Sequence, residues 1–507
     1  MPARRVVIIG AGVGGLVSAL LLAARGYVVT VVEAAATPGG KMRRAIVDGA
    51  AIDAGPTVFT MRWAFERILS EIGCSLDDCV TLTPLAILAR HAWSAHETLD
   101  LFADEQRSAE AVAAFAGPAE AGGYLRFCRR AREIFEALDA SFIQAPRPSP
   151  IGLVRRAGLA GLPALTRISP FATLWGELGG YFRDERLRQL FGRYATYCGS
   201  SPYLAPATLM LVAHVEQAGV WSVEGGMHRL VEGLAKMAVL KGATFRYGAR
   251  ATRILTEGGR ASGVALDDGE RIAADAVIMN GDPAALVDGL FGEAASRAIG
   301  EIPRASRSLS AITWAMTATT SGFPLLRHNV FFSDDYRAEF DDIFSRARPP
   351  RSPTVYVCAQ DRGDGADAPS SERLLCLVNA PANGDAGEPW ELQQCEDATF
   401  QQMARCGLTI ASMAAVRTTP ARFDALFPAT GGALYGRASH GWMASFARPG
   451  SRAKLPGLYL AGGGVHPGPG VPMAALSGRQ AALSVMTDLA STGRWVRAAM
   501  PGGMSMR

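Results

Sequence analysis

The first apolar pattern in the chain is a short continuous run, Val6-Val7-Ile8-Ile9, followed by a glycine cluster and a second apolar stretch over residues 16–24. A brief run bounded by glycine predicts a buried strand, and the longer run predicts a helix that Gly26 ends. Residues 27–32 predict a second strand closing at Glu33. Further along, residues 310–317, 329–333, 354–360 and 374–380 are rich in apolar and β-branched positions and predict strands. Residues 119–138, 228–240 and 391–406 carry apolar positions at helical spacing.

Two uncharged stretches resemble membrane spans in length. In residues 6–24 the run breaks at Gly10, Gly12, Gly14 and Gly15, and another apolar run follows at once, which is a strand, turn, helix and strand. Residues 455–478 are so dense in Gly and Pro that a lipid-exposed helix would leave backbone groups unpaired. No transmembrane span is predicted. The net charge of +4 is small for 507 residues and is not gathered into a basic run, which argues against a nucleic-acid partner. The eight cysteines form no CxxC pair, and His91 and His96 are five apart, so no metal site is expected and reduced thiols in a cytoplasmic protein are. Only four Lys occur among 51 basic residues, at 41, 236, 241 and 454, which fits a codon bias and makes Lys41 conspicuous.

Gly10-Ala11-Gly12-Val13-Gly14-Gly15 has the GxGxxG spacing between the predicted strand and helix. Gly10 allows the tight turn, Gly12 the approach of a pyrophosphate and Gly15 close helix packing, while the helix N-terminus offers unpaired N–H groups to the phosphates. Glu33, 18 residues beyond Gly15, is placed to accept hydrogen bonds from ribose hydroxyls. This motif predicts a dinucleotide without choosing between FAD and NAD.

The choice comes from Pro38-Gly39-Gly40-Lys41 and Asp53-Ala54-Gly55-Pro56-Thr57. With these segments the sequence resembles the phytoene desaturase branch of the flavin amine oxidase superfamily. The resemblance continues through Glu224-Gly225-Gly226-Met227, residues 248–254, Asn280-Gly281-Asp282-Pro283, Gly462-Gly463-Gly464 and His466-Pro467-Gly468-Pro469-Gly470-Val471-Pro472-Met473. It implies FAD as cofactor, with Gly40, Lys41, Gly55, Pro56 and Thr57 around the flavin and the backbone of Ala251 holding the adenine. Gly463, Gly464, Val471, Pro472 and Met473 would complete the flavin site. The chain departs from the superfamily in having Gly463 and Gly464 where an acid often binds the ribityl chain, and from phytoene desaturases in having Met473 where Gly is usual. Residues 53–65, 89–94 and 466–478 look most like the hydroxyneurosporene desaturases, or 1-hydroxycarotenoid 3,4-desaturases, of purple phototrophic bacteria.

The resemblance implies an α/β fold with a discontinuous Rossmann-like FAD domain built from residues 1–85, 220–290 and 420–507. Residues 86–219 and 291–419 would form a mixed-sheet and helical substrate domain that touches the membrane. No acid lies between Asp139 and Glu177, while Arg147, Arg155, Arg156 and Arg167 sit among apolar residues, a composition suited to an anionic lipid surface or to a flap packed on the protein itself. The expected reaction is desaturation of an acyclic hydroxycarotenoid, with hydride passing to flavin N5 and electrons leaving to oxygen or a quinone. The protein would sit in the cytoplasm, peripherally on the inner or photosynthetic membrane. Hydride loss beside a polyene leaves a delocalised cation, so no strong base is required. His466 is the one residue named as a base, against its reading as a loop residue; Arg62 and Trp63 are read as pocket-lining, surface or core. Phytoene desaturase, carotene isomerase, amine or protoporphyrinogen oxidase, and a flavin-free GDP-dissociation-inhibitor-like binder are the alternatives.

Overall fold

The computed structural model describes residues 4–147, 149–156, 158, 168–363, 370–389 and 391–498, without the side chains of 492–498. A parallel sheet of five strands holds the N-terminal motif, in the order Leu458–Leu460, Ala276–Met279, Arg5–Ile9, Val28–Glu33 and Thr244–Tyr247. Its central strand is apolar at every inner position because both faces are covered. Val6 and Ile8 pack with Leu16, Leu20, Leu230 and Leu234 on one side. Val7 and Ile9 pack with Val264, Leu266 and Leu286 on the other, under an antiparallel sheet of three strands.

The helix Val13–Ala23 is buried along its whole length and runs beside the C-terminal helix Val471–Ala498. Small residues make that approach possible. A Cβ on Gly478 would lie 2.2 Å from the Gly14 carbonyl oxygen, and Ser18 Oγ donates to the carbonyls of Gly14 at 2.8 Å and Gly478 at 2.9 Å.

A mixed sheet of seven strands stands apart, in the order Leu408–Thr418, Ser310–Gly322, Glu372–Ala380, Val355–Ala359, His328–Phe331, Ile87–Ala92 and Thr98–Phe102. Its one parallel pairing joins His328–Phe331 to Ile87–Ala92. The helix Leu392–Arg405 packs on one face, with Trp314, Met316 and Cys376 beneath it. On the other face lies the hairpin of Arg44–Val47 and Ala50–Asp53, whose Ala45 and Ile52 meet Ala315, Cys358 and Leu375. The hairpin thus carries the Asp53–Thr57 turn in beneath the sheet.

The predicted strands and helices appear within a few residues, with one large extension: the strand beginning at Ser310 runs to Gly322. The hydrophobic pattern predicts no strand at Leu408–Thr418, because this edge strand is mostly exposed and shows no inward-outward alternation. Backbone pairing to Ser310–Gly322 holds it rather than burial of its side chains. Among the described residues no helix is long and apolar enough to cross a membrane.

Candidate flavin site

The glycine turn after Ile9 is built as its spacing predicts. Gly10 adopts φ +96°, and Gly12 caps the helix Val13–Ala23 with extended backbone and no side-chain acceptor, leaving that N-terminus free for an anion. A Cβ on Gly15 would come within 2.1 Å of the Gly10 carbonyl oxygen. One on Gly14 would meet Asn280 Oδ1 at 2.6 Å, Gly462 N at 2.9 Å and the Ala474 carbonyl at 3.0 Å. Gly14 is therefore where the first turn of one helix, the Gly462 turn and the first turn of Val471–Ala498 touch. Asn280, at the end of its strand, ties the turn by donating from Nδ2 to the Gly10 carbonyl at 3.1 Å.

Glu33 ends its strand with both carboxylate oxygens engaged, accepting from the Ala11 N–H at 2.7 Å and the Ala35 N–H at 2.8 Å. It braces the glycine turn and keeps further lone pairs for a hydroxyl. Next to it, the N–H groups of Gly248 and Ala249 donate to the carbonyls of Ala35 and Glu33, which sets the start of the strand Ala251–Glu257 beside the same end of the sheet.

The remaining family segments stack on this turn in succession. Gly39 bridges to Gly12, and a Cβ on Gly40 would sit 3.4 Å from the Gly12 Cα. A Cβ on Gly55 would strike the Lys41 carbonyl oxygen at 2.0 Å, so the Gly55-Pro56 turn lies directly on the Lys41 turn. Lys41 is no solvated lysine: it lies in the interior and donates from Nζ to the Leu434 carbonyl at 2.7 Å. Burial holds its pKa below the ordinary value, with Asp282 opposing that shift and Arg448 adding to it. Asp53 is buried and accepts from the Met227 N–H at 2.6 Å and the His228 N–H at 3.3 Å, capping the helix His228–Leu240. Gly226 has to be glycine for this, since its Cβ would fall 2.3 Å from Asp53 Oδ2.

Gly463 keeps open space where its Cβ would point, with Pro469 Cα nearest at 3.7 Å. An acid approaches this turn from the loop that follows the strand Ala276–Met279. Asp282 Oδ2 is buried without a partner, 3.3 Å from where a Cβ on Gly464 would stand and 3.5 Å from one on Gly436. A cleft lined by Asp282, Gly436, Arg448 and Gly464 opens there. Arg448 is itself buried and donates to the carbonyls of Tyr435 at 3.1 Å and Gly463 at 3.3 Å, and burial lowers its pKa to about 10. A free helix N-terminus, an orphaned carboxylate oxygen and a cradle of glycines fit the phosphates, hydroxyls and flat ring of FAD.

Val471 and Pro472 are buried at the head of the last helix, and Met473 is half-buried against the core that holds Val6, Ile8 and Leu16. His466 is fully buried; its Nε2 donates to the Phe142 carbonyl at 2.9 Å, its ring meets Phe142 edge to face, and burial lowers its pKa to about 4. That geometry pins the turn Asp139–Ile143 through one nitrogen and leaves Nδ1 without a partner. Arg62 pairs with Glu66 and Asp77, and Trp63 packs against the core that holds Val6, Ile8 and Leu16. Thr57 is buried, and its hydroxyl lies 2.6 Å from that of Tyr356. Asn280, Asp282, Arg448 and Tyr356 did not emerge as site residues from the sequence; the first two stand within a quoted motif, whereas Arg448 and Tyr356 carry no local signal.

Comparison with known proteins agrees with this reading. The model of the family described as flavin containing amine oxidoreductase matches residues 13–486. The chain is 56% identical to a hydroxyneurosporene desaturase of Rubrivivax gelatinosus, over 99% of this chain and 97% of that protein. It is 46% identical to one of Cereibacter sphaeroides, over 97% and 99%. A putrescine oxidase structure with putrescine bound matches 96% of the chain and 99% of its own at TM-score 0.61 and 16% identity, a likeness of fold. An arrangement built to hold FAD, matched from Val13 onward by the family's own pattern, identifies this chain as a member of the flavin-containing amine oxidoreductases, in the group of the hydroxyneurosporene desaturases.

Proposed function

We propose that the protein is an FAD-dependent carotenoid desaturase that introduces the C-3,4 double bond into acyclic 1-hydroxycarotenoids. The observation that carries this reading is the 56% identity along 99% of the chain to a hydroxyneurosporene desaturase. Residues 1–85, 220–290 and 420–507 form the cofactor unit, and residues 86–219 and 291–419 bind substrate and contact the membrane. The glycines at 10, 12, 14 and 15 and the helix behind them hold the pyrophosphate. Glu33 takes ribose hydroxyls, the Ala251 backbone takes the adenine, and Asp282 takes a ribityl hydroxyl in place of the acid absent at Gly463 and Gly464. Gly40, Lys41, Gly55, Pro56, Thr57, Val471, Pro472 and Met473 surround the ring.

When bound, FAD supplies the hydride acceptor. The chain holds the polyene against it and excludes water from the interior. A proton leaves the neighbouring carbon to water or a weak base, because the developing charge spreads along the conjugated chain. His466 serves that step poorly, since its Nε2 is committed to the Phe142 carbonyl, and we assign it a positioning role. Electrons then pass to oxygen or a quinone.

Substrate of this kind resides in lipid, and several exposed apolar side chains suit a lipid surface. Ile151 is 82% exposed and Phe171 78%, and Val154, Leu204, Trp442 and Met443 are exposed with them. Phe171 and Trp442 meet edge to face at 5.4 Å. Arg147 and Arg155 lie along the same segment; Arg167 and most of residues 157–167 lie outside the described residues. A cleft lined by Trp175, Tyr203, Leu204 and Phe344 opens beside this patch and gives the polyene an entrance. We place the protein peripherally on the cytoplasmic side of the inner or photosynthetic membrane, held by apolar side chains and arginines.

The test is incubation of the holoprotein with 1-hydroxyneurosporene in liposomes, with and without oxygen, following absorption and product mass. A red shift with loss of two hydrogens supports the reading, and turnover without oxygen only when a quinone is added to the liposomes points to a quinone. Conversion of phytoene instead would move the protein to the phytoene desaturases.

A further inference from the structure

Inside the substrate unit, a polar chain begins at the flavin-side turn. Tyr356 Oη lies 2.6 Å from Thr57 Oγ1 and 2.7 Å from His328 Nδ1, so the three side chains form one line of hydrogen bonds. His328 is 3% exposed and its Nε2 has no partner. Arg193 stacks over the rings of Tyr356 at 5.7 Å and Tyr197 at 5.3 Å. Tyr197 in turn donates to Glu216 at 2.8 Å, and Tyr194 donates to the same carboxylate. Arg193, Tyr197, Tyr356 and Tyr435 are half-buried and keep some accessible surface.

An apolar polyene has no use for such a chain along its length. A tertiary hydroxyl does, and chemistry fixes where its partner must stand. In a 1-hydroxy chain oxidised at C3 and C4, the hydroxyl oxygen is only a few bonds from the reacting carbons. Its partner therefore belongs immediately beyond the flavin, and Thr57 closes the turn assigned there. The chain can also run in either direction. If Tyr356 donates to His328, Thr57 donates to Tyr356 and keeps lone pairs for a substrate O–H; if His328 donates, Thr57 ends with its own O–H free.

Resting on the desaturase reading above, we propose that Thr57 and Tyr356 form the site that recognises the tertiary hydroxyl of the substrate, with His328 and Arg193 positioning Tyr356. Burial, with Arg327 and Arg193 nearby, lowers the His328 pKa to about 3, so the ring is neutral and the line acts by hydrogen bonding rather than as a proton sink. Burial also pulls the Arg193 pKa down, but Tyr197 and Glu216 outweigh it and keep the guanidinium charged.

The experiment compares kcat/KM for an acyclic 1-hydroxycarotenoid and for its unhydroxylated counterpart, presented in the same liposomes to holoprotein with verified flavin content. The wild type prefers the hydroxylated compound. Tyr356→Phe and Thr57→Val each reduce that preference about 10- to 100-fold, whereas Thr57→Ser retains it. Equal losses on both compounds, or an unchanged preference in both variants, overturn the inference while leaving the desaturase reading intact. A wild type that converts both compounds equally well does the same. Conversion of neither by the wild type overturns the desaturase reading and this inference with it.

Discussion

Replacing Gly14 by Ala tests whether the contact of three chain segments shapes the cofactor site. The added methyl would stand 2.6 Å from Asn280 Oδ1, 2.9 Å from Gly462 N and 3.0 Å from the Ala474 carbonyl. Asn280 can rotate only by giving up its 3.1 Å bond to the Gly10 carbonyl, and the other two neighbours are backbone. Overpacking of this kind costs about 1–3 kcal/mol. Alanine regains up to about 1 kcal/mol of helix propensity, so the apoprotein loses about 0–2 kcal/mol where that cost is felt before the cofactor binds. FAD feels the displacement of both helix ends, and its Kd rises about 5- to 150-fold if the full cost falls on binding. Titration of apoprotein with FAD by flavin fluorescence, beside urea denaturation of the same apoprotein, separates the two effects. Gly300→Ala is the control, because nothing lies within 4 Å of that position. FAD affinity in Gly14→Ala equal to that of the control would refute the argument.

Asp53→Ala strips the cap from the helix His228–Leu240 and lowers unfolding stability by about 2–4 kcal/mol, read from the urea midpoint. Arg362 and Glu372 form a buried bidentate pair at 2.8 and 2.9 Å, and Arg362→Ala strands the carboxylate at a cost of about 3–5 kcal/mol on the same measurement. Burial lowers the pKa of His91 and His328 to about 3 and of His440 and His466 to about 4, below the ordinary 6.5, so each stabilises above pH 6.5 and loses that contribution as pH falls toward its folded value. Burial raises Glu339 to about 7 and raises Asp139 as well, which acts in the opposite direction, but His214 and His228 are lowered too, and the histidines together leave the midpoint lower at pH 5 than at pH 7; an equal or higher midpoint at pH 5 would contradict this. Ile151→Glu combined with Phe171→Glu reduces sedimentation with anionic liposomes while leaving FAD binding unchanged, and unaltered sedimentation would remove that face from the membrane contact.

The glycine turn and the elements that flank it were legible because their requirements are local. A strand, a glycine turn and a helix are neighbours in the chain, so the Gly10 to Glu33 motif appears in the sequence in the order it has in space. Lys41 was marked by the rarity of Lys, and the structure finds it inside. The residues that join distant segments were not legible. Arg448 reaches the Gly463 carbonyl from a loop without periodicity, and Tyr356 is one aromatic among many until His328 and Thr57 flank its hydroxyl. The edge strand Leu408–Thr418 escaped for another reason: an exposed strand held by backbone bonds leaves no hydrophobic signature.

The parallel sheet draws its five strands from residues 5 to 460, and its outermost strand, Leu458–Leu460, pairs with Ala276–Met279. During synthesis the nascent chain cannot complete this sheet until residues 458–460 leave the ribosome. Until then Val277 and Met279 have no neighbour on that side, and the apolar faces of an unfinished sheet invite association with other chains. The cleft at Asp282, Gly436, Arg448 and Gly464 is thus assembled only after the outermost strand has joined the sheet.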